Sequence, residues 1–448
     1  MTTTRNSGAR RPAGPDPDPD TTAGTGAVGA AGSGGARPAG AGAAGVAATS
    51  GGAAGRSATN RRGTRTPSAS PGRRTASAPA PVLGDRALGR ATLARQYLLA
   101  PAAPGTLTVA EALTRLVGLQ AQNVKPPYYG LAARIEDFDP RELSASMENR
   151  AAVRIVTMRS TIHTHTAADA LTLRSLVQPA LERELHGFRA GLVGVDQDRL
   201  VALSRDLVES EPRTMAQLRE VLLKEWPDAD PLALSLVARC RLPLVQVTPR
   251  GLWRRSGQVA LTTVDRWLGR PLDPEPSAEE AVRRYLAAFG PASVKDMQTW
   301  ARLTRLKEVF ERLRPELLTF RDERGTELFD LPDAPRPDAD TEAPPRLLPE
   351  YDNLLLSHAD RSRVVPAAYK GLTWQGNYAY RVLMTDGLVA GVWKLEENAD
   401  SAVLTIEPFA PLGRGRREAT LAEGERVLRL LAEPSVTHEV RFGAVRRT

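Results

Sequence analysis

From residue 85 onward apolar residues recur with a period near 3.6, and at intervals the period drops to two. "TVAEALTRLVGL" sets Thr108 three residues ahead of Glu111, the spacing of a capping box, and then aligns Leu113, Leu116 and Val117 on one helical face. More helix is predicted through "GLAARI" and "PRELSASMEN". "AVRIVTMRSTIHTHT" is rich in β-branched residues and reads as a hairpin turning near residues 159–160. The order then repeats. "DRLVALSRDLVES", "TMAQLREVLLKEW" and "PLALSLVARCR" read as helices, followed by "LPLVQVTPRGLWRRSGQVALTT", a hairpin turning near residues 249–251. A third round runs through "SAEEAVRRYLAAFG", "SVKDMQTWARL" and "RLKEVFERLRPE" to the two short strands of "LLTFRDERGTELFDLP". Helix–helix–helix–hairpin is the winged-helix order, so three tandem winged-helix modules are predicted over residues 85–190, 191–275 and 276–345. After a Pro-rich joint, "YRVLMTDGLVAGVWKL" and "SAVLTIEPF" alternate as strands, with Asp386 and Gly387 at a tight turn. A last helix, "REATLAEGERVLRLLAEP", completes a C-terminal β domain over residues 346–448. The fold class is α+β and helix-rich.

No such pattern exists before this. Residues 1–84 are almost entirely Ala, Gly, Thr, Ser, Pro and Arg, without one aromatic ring. Such a segment cannot bury enough apolar surface to offset its ordering entropy, so a disordered tail is predicted. Its ten arginines and three aspartates supply +7 of the whole chain's +8, which leaves the folded part nearly neutral. A basic tail adds non-specific attraction to nucleic acid; coding bias accounts for the composition equally well.

Several classes are excluded. There is no run of 18 apolar residues and no apolar signal core, which points to a cytoplasmic, non-membrane protein. A single cysteine, Cys240, allows neither an intrachain disulfide nor a multi-cysteine zinc site. No G-x-S-x-G, P-loop or strand-linked G-x-G-x-x-G occurs.

Winged helices commonly present a helix and a wing to duplex DNA, although the same modules also serve protein–protein contact. In a near-neutral folded part a DNA surface must be a local concentration of charge. The candidates are Arg154 and Arg159 on the first hairpin, Arg250, Arg254 and Arg255 on the second, and Arg302, Arg305 and Lys307 in the third module. Within "GLWRRSG", Trp253 is placed to stack while the arginines meet phosphates; a solvated wing edge is the simpler alternative. His163 and His165 share a strand face in "THTHT", but no third ligand cluster accompanies them, so no metal is expected. "EYDNLLLSHADRSR" holds Glu350, Asp352, His358, Asp360 and Arg361, and a buried polar turn explains it better than catalysis.

The stretch "GLQAQNVKPPYYG" is the least expected. Gln120 lies seven residues after Leu113 and so falls on the apolar stripe, where an amide is costly unless satisfied. In a continuous helix Gln120 and Gln122 would point about 200° apart. They converge on one small molecule only if the helix breaks by about Gln122, close to Pro126 and Pro127. Otherwise they are a helix-end cap and a surface residue.

The stretches "RATLARQ", "RLVGLQAQ", "PPYYGL", "PRGLW", "YLAAFGPAS", "FDLP" and "DNLLLSHADR" resemble the bacterial winged-helix DNA glycosylases of the AlkZ/YcaQ type, over roughly residues 87–445. The resemblance implies three winged-helix modules and a small β-barrel-like domain arranged as a C-shaped clamp around DNA. It implies excision of N-alkylated purines and unhooking of interstrand crosslinks. Gln120-Ala121-Gln122 resembles the Gln-x-Gln signature of the AlkZ-like branch rather than the Gln-x-Asp of the other, which makes Gln120 and Gln122 the catalytic pair. A lesion-probing hairpin would fall near "VWKLEENADSAVL"; the basic tail has no counterpart in the family. Double-stranded DNA carrying alkylated purines or crosslinks is the implied partner, with a monomeric protein and no cofactor.

The chemistry fits weak residues. Alkylation at N7 or N3 makes the base cationic, so it leaves neutral without a strong acid. The transition state is oxocarbenium-like. What remains is to hold a water and align dipoles, which amide carbonyls can do. A monofunctional glycosylase follows. The alternative is a non-enzymatic winged-helix regulator, which would select one DNA sequence and ignore damage.

Overall fold

The computed structural model describes residues 80–376 and 378–447. The predicted tail lies outside them except for its last few residues. Of these, Val82 and Leu83 form a strand parallel to Leu318–Asp322, so regular structure reaches into the segment that composition assigned to the tail. Two apolar residues with an open strand edge beside them are enough for that pairing.

The helix–helix–helix–hairpin order is present three times. Val109–Arg115, Pro126–Ala132 and Pro140–Glu148 precede strands Ala152–Val156 and Ile162–Thr166. Gln197–Ser210, Met215–Glu225 and Pro231–Arg241 precede Leu244–Gln246 and Ala260–Thr263. Ala278–Phe289, Val294–Ala301 and Leu306–Leu313 precede Leu318–Asp322 and Glu327–Asp330. Short polar residues set the helix starts. Thr108, Thr214 and Ser293 each form a reciprocal capping box, with Glu111, Gln217 and Asp296. Asp139 and Asp230 each cap a helix that begins with proline.

The hairpins do not stay separate. The first two merge into one six-stranded sheet, in the order Leu119–Gln120, Ile162–Thr166, Ala152–Val156, Leu244–Gln246, Ala260–Thr263, Arg213–Thr214. The second hairpin is also shorter than its pattern suggests. Residues 247–259 leave the ladder as a long loop, because Pro249 has no N–H to donate and Gly251 adopts φ 97°.

The C-terminal sheet has five strands in the order Arg346–Leu348, Arg381–Thr385, Leu388–Glu397, Ser401–Pro408, Thr437–Phe442. The turn at Asp386 and Gly387 is as expected. The sheet is open rather than barrel-like. Helix Arg414–Leu431 carries the chain across it, so the last strand adds in parallel to Ser401–Pro408 and leaves two edges.

Packing ignores the expected module boundaries. One apolar core spans the second and third sets through Leu200, Leu222, Leu234, Tyr285, Phe289 and Phe310. Another joins the first set to the C-terminal sheet through Leu113, Tyr128, Tyr129, Leu383, Trp393 and Val427. Among the described residues no helix is long and apolar enough to cross a membrane.

Two fully buried ion pairs tie distant segments. Arg95 grips Asp330 through both guanidinium ends at 2.6 and 2.8 Å. Arg134 grips Asp352 likewise at 2.9 and 2.8 Å, and also donates to Gln96. Removing one partner of such a pair strands a charge. Asp352→Ala is therefore expected to cost about 3–5 kcal/mol, read as a lower urea midpoint at pH 7. A midpoint close to the parent's would show that Arg134 has another way to be satisfied.

Candidate functional site

Helix Val109–Arg115 ends sooner than the periodicity predicts. Val117 and Gly118 adopt φ 55° and 84°, and the Gly118 N–H closes on the Leu113 carbonyl at 2.8 Å. A side chain at 118 has no room, because its Cβ would lie 2.2 Å from the His165 ring. Asn353 Nδ2 then donates to the carbonyls of Leu116 and Gly118, at 3.0 and 2.6 Å, satisfying groups that the broken helix leaves over.

With the helix over, Leu119 and Gln120 become an edge strand. They pair antiparallel with Thr164 and His163, and the Ala121 N–H continues onto the Ile162 carbonyl at 2.7 Å. Gln120 is therefore not on a helical stripe. The strand ends at Gln120 and the chain bends from residue 122, so the glutamines are brought to the same hairpin by their side-chain hydrogen bonds rather than by a shared strand face. The double proline does not terminate the earlier helix; it opens the next one, Pro126–Ala132. The missed signal was Gly118, a residue type that favours the left-handed end of a helix.

Both amide oxygens bind the first hairpin. Gln120 Oε1 accepts from Arg159 Nη2 at 2.8 Å, and Gln122 Oε1 from the Ile162 N–H at 3.4 Å. Arg159 sits on the turn with φ 56° and also donates to the Trp300 carbonyl at 2.9 Å, linking the first and third helix–hairpin sets. Its Nη2 lies 3.1 Å from His163 Nε2. His163 Nδ1 lies 3.0 Å from the Thr161 carbonyl, which only an N–H can face, so Nε2 is the acceptor toward Arg159 and the ring is neutral. Burial and the adjacent Arg159 hold His163 well below its ordinary pKa. Burial also lowers His165 to about 4. Burial and the nearby charge of Arg361 lower Arg159 to about 10. Among the described residues no group of three or more His, Cys, Asp or Glu side chains is arranged to hold a metal; both His163 nitrogens face protein partners, and His165 Nε2 faces Thr157 Oγ1 at 2.9 Å.

Arg154 is 2% exposed and so not on any surface. Its Nη2 donates at 2.8 Å to the carbonyl of Ala121, the residue between the glutamines, and its Nε donates to Gln246 at 3.0 Å. Arg250 is buried near it. Trp253 packs on Tyr128 and Tyr129, ring centroids 4.7 and 6.4 Å away, and Arg254 bonds Glu397, Glu433 and the Leu431 carbonyl. These contacts join the second hairpin to the C-terminal domain. Arg255, Arg302, Arg305 and Lys307 are exposed, with Arg302 facing Glu184 at 3.8 Å.

Periodicity alone did not reveal the support that "EYDNLLLSHADRSR" gives the motif. Glu350 accepts from Asn123 at 3.2 Å and from Arg381 at 2.9 Å. Burial raises its pKa, but Arg381 and these hydrogen bonds outweigh that and keep it ionised. Asp352 pairs with Arg134, and Asn353 caps the broken helix. His358 bonds the Phe289 carbonyl and Ser357 rather than any open space. Beside this segment lies a cavity of about 230 Å³, lined by Tyr351, Trp374 and Tyr380 with Arg361 and Lys370. A short hairpin, Trp374–Gln375 and Tyr378–Ala379, forms one wall. The segment "VWKLEENADSAVL" forms the end of a second, longer hairpin, whose Glu397 holds Lys125 and Arg254.

The family model described as "DNA glycosylase AlkZ-like" matches residues 113–430. An interstrand DNA cross-link repair glycosylase of Streptomyces sahachiroi is 24% identical over 364 residues, covering 75% of this chain and 93% of that protein. The solved structure of Streptomyces sahachiroi DNA glycosylase AlkZ superposes with a TM-score of 0.64 at 21% identity, over 80% of this chain and all of the other.

The buried imidazoles make stability pH-dependent. His163, His165 and His358 have folded pKa values below the ordinary 6.5, with His165 near 4 and His358 near 3. The unfolded chain thus binds more protons, and stability is lost as pH falls from about 6.5 toward 4. His165 alone accounts for about 3 kcal/mol. Urea unfolding at pH 7 and pH 4.5 should show the drop; equal free energies would mean these rings are protonated in the folded protein.

Proposed function

The chain belongs to the AlkZ-like DNA glycosylase family, and from that premise we propose that it hydrolyses the N-glycosidic bond of N7- or N3-alkylated purines in duplex DNA, including those tied in interstrand crosslinks. One observation carries the reading. Beyond a broken helix, Gln120 lies on an edge strand and Gln122 on the bend after it, and both amide oxygens face the same hairpin. Fixed amide dipoles and a held water are what departure of a cationic base requires.

The groups around the motif suit this division of labour. His163 is neutral and already bonded, so it does not protonate the leaving base. Glu350 is ionised and linked to the motif through Asn123, and its negative charge favours an oxocarbenium-like transition state. Undamaged bases, which need an acid to leave, gain little from such a site. Among the described residues no lysine bonds to either glutamine, and the reading is therefore hydrolysis to an abasic site rather than Schiff-base chemistry.

The three helix–hairpin sets serve in this reading as winged-helix modules of a monomeric DNA clamp, and the exposed Arg255, Arg302, Arg305 and Lys307 meet phosphates. Arg154 holds the motif at the Ala121 carbonyl with Arg250 buried near it, while Trp253 and Arg254 join the second hairpin to the C-terminal domain. The name of the Streptomyces relative favours crosslinks as one substrate class.

Purified protein incubated with duplex carrying one N7-methylguanine, or one nitrogen-mustard crosslink, should yield abasic sites cleavable by alkali. Gln120→Ala and Gln122→Ala should each lower the single-turnover rate about a hundredfold while duplex affinity is kept. Absence of strand cleavage above background on both lesions would reject the proposal.

A further inference from the structure

The two glutamines are not equivalent. Gln120 Oε1 faces a guanidinium at 2.8 Å. An amide NH₂ cannot occupy that position, because two donors would confront each other, so the hydrogen-bond network fixes which way the amide points. Arg159 is itself held in place by three further features. Its Nη1 is bonded to the Trp300 carbonyl at 2.9 Å. Its Nη2 is 3.1 Å from His163 Nε2, which the Nδ1–Thr161 contact makes an acceptor. The turn that carries it is clasped at the Ser160 carbonyl by Arg239. Gln120 is 6% exposed, and its Nε2 donates to no protein group among the described residues. Gln122 is more exposed and its oxygen has only a long contact, 3.4 Å from the Ile162 N–H.

We infer that Arg159 is a positioning residue that turns the Gln120 amide so that its N–H donates into the reaction site, while Gln122 supplies the accepting carbonyl. The inference rests on the glycosylase reading above and divides the work within it. The water then accepts a hydrogen bond from Gln120 Nε2–H through one lone pair and donates one proton to Gln122 Oε1. Its second lone pair is left to form the bond to the anomeric carbon as the C1′–N bond breaks, with the bonding electrons leaving on the base. The released proton passes to solvent. Both amides stay chemically unchanged, and each contributes one directional contact.

A Gln→Glu exchange tells donor from acceptor, because a carboxylate keeps the oxygens and loses the N–H. Gln120→Glu should keep its pairing with Arg159, melt no lower than wild type, and lose about tenfold or more in single-turnover rate on the N7-methylguanine or mustard-crosslinked duplex. Duplex affinity should stay within about twofold. Arg159→Met should likewise lose rate rather than affinity, and Arg159→Lys should restore part of the loss. A Gln120→Glu protein as fast as wild type overturns the inference and leaves the glycosylase reading intact. So does an Arg159→Met protein that loses affinity at an unchanged rate. If wild type cleaves neither duplex, the glycosylase reading falls, and melting alone decides the amide's direction. Gln120→Glu should raise the melting temperature when Arg159 is present and lower it in the Arg159→Met background; a lowering in both overturns it.

Discussion

The antiparallel pairing of Leu119 and Gln120 with the Ile162–Thr166 strand is the contact on which the rest of the site depends. It replaces the helix before Gln120, and the side chains of Gln120 and Gln122 both reach the hairpin that carries the partner strand. Around it the backbone is satisfied from far away in the chain. Asn353 takes the carbonyls of Leu116 and Gly118, and Arg154 takes that of Ala121. A short edge strand has few ladder bonds of its own, so its geometry is set by these borrowed partners. The motif is rigid because three separate segments hold it.

Arginine is the connector throughout. Arg95 and Arg134 cross the molecule to buried carboxylates. Arg154 and Arg174 are equally buried but bond to backbone carbonyls and glutamines instead. A planar guanidinium with five donors can bind several carbonyls at once, which a lysine ammonium cannot do in the same geometry. Burying cations in this way costs desolvation, and it lowers Arg154 to about 10, with Arg250 nearby contributing. The result is a positively biased floor behind the glutamines, relieved by Glu350 on the side of Asn123. That distribution bears on the proposed reaction, whose substrate would start cationic and whose leaving base would become neutral.

The second hairpin shows why basic residues on a wing do not by themselves define a DNA surface. Trp253 stacks inward on Tyr128, and Arg254 spans to Glu397 and Glu433. Trp253 and Arg254 are thereby fastened to other segments, while Arg255 beside them stays exposed. The same residue types in the same order would serve phosphate contact if the loop stood free. The decision was made by carboxylates more than 140 residues away in sequence.

What the chain determines locally is legible in its pattern. The Thr108–Glu111 capping box, the first hairpin with its turn at residues 159–160, and the tight turn at Asp386 and Gly387 all depend on neighbours within a few positions. The unusual Gln-x-Gln pair and the motifs around it are likewise visible in the letters, and the family model that matches residues 113–430 bears out the family they resemble. Tertiary structure decided the rest. Whether "GLQAQ" continues a helix or becomes a strand depends on a partner about 40 residues later, and on Asn353 more than 230 residues later. Which arginines face solvent depends on where carbonyls and carboxylates from other segments arrive. Hydrogen bonds between distant residues follow no periodicity, so a one-dimensional pattern carries the residues for such a site without carrying the contacts that aim them.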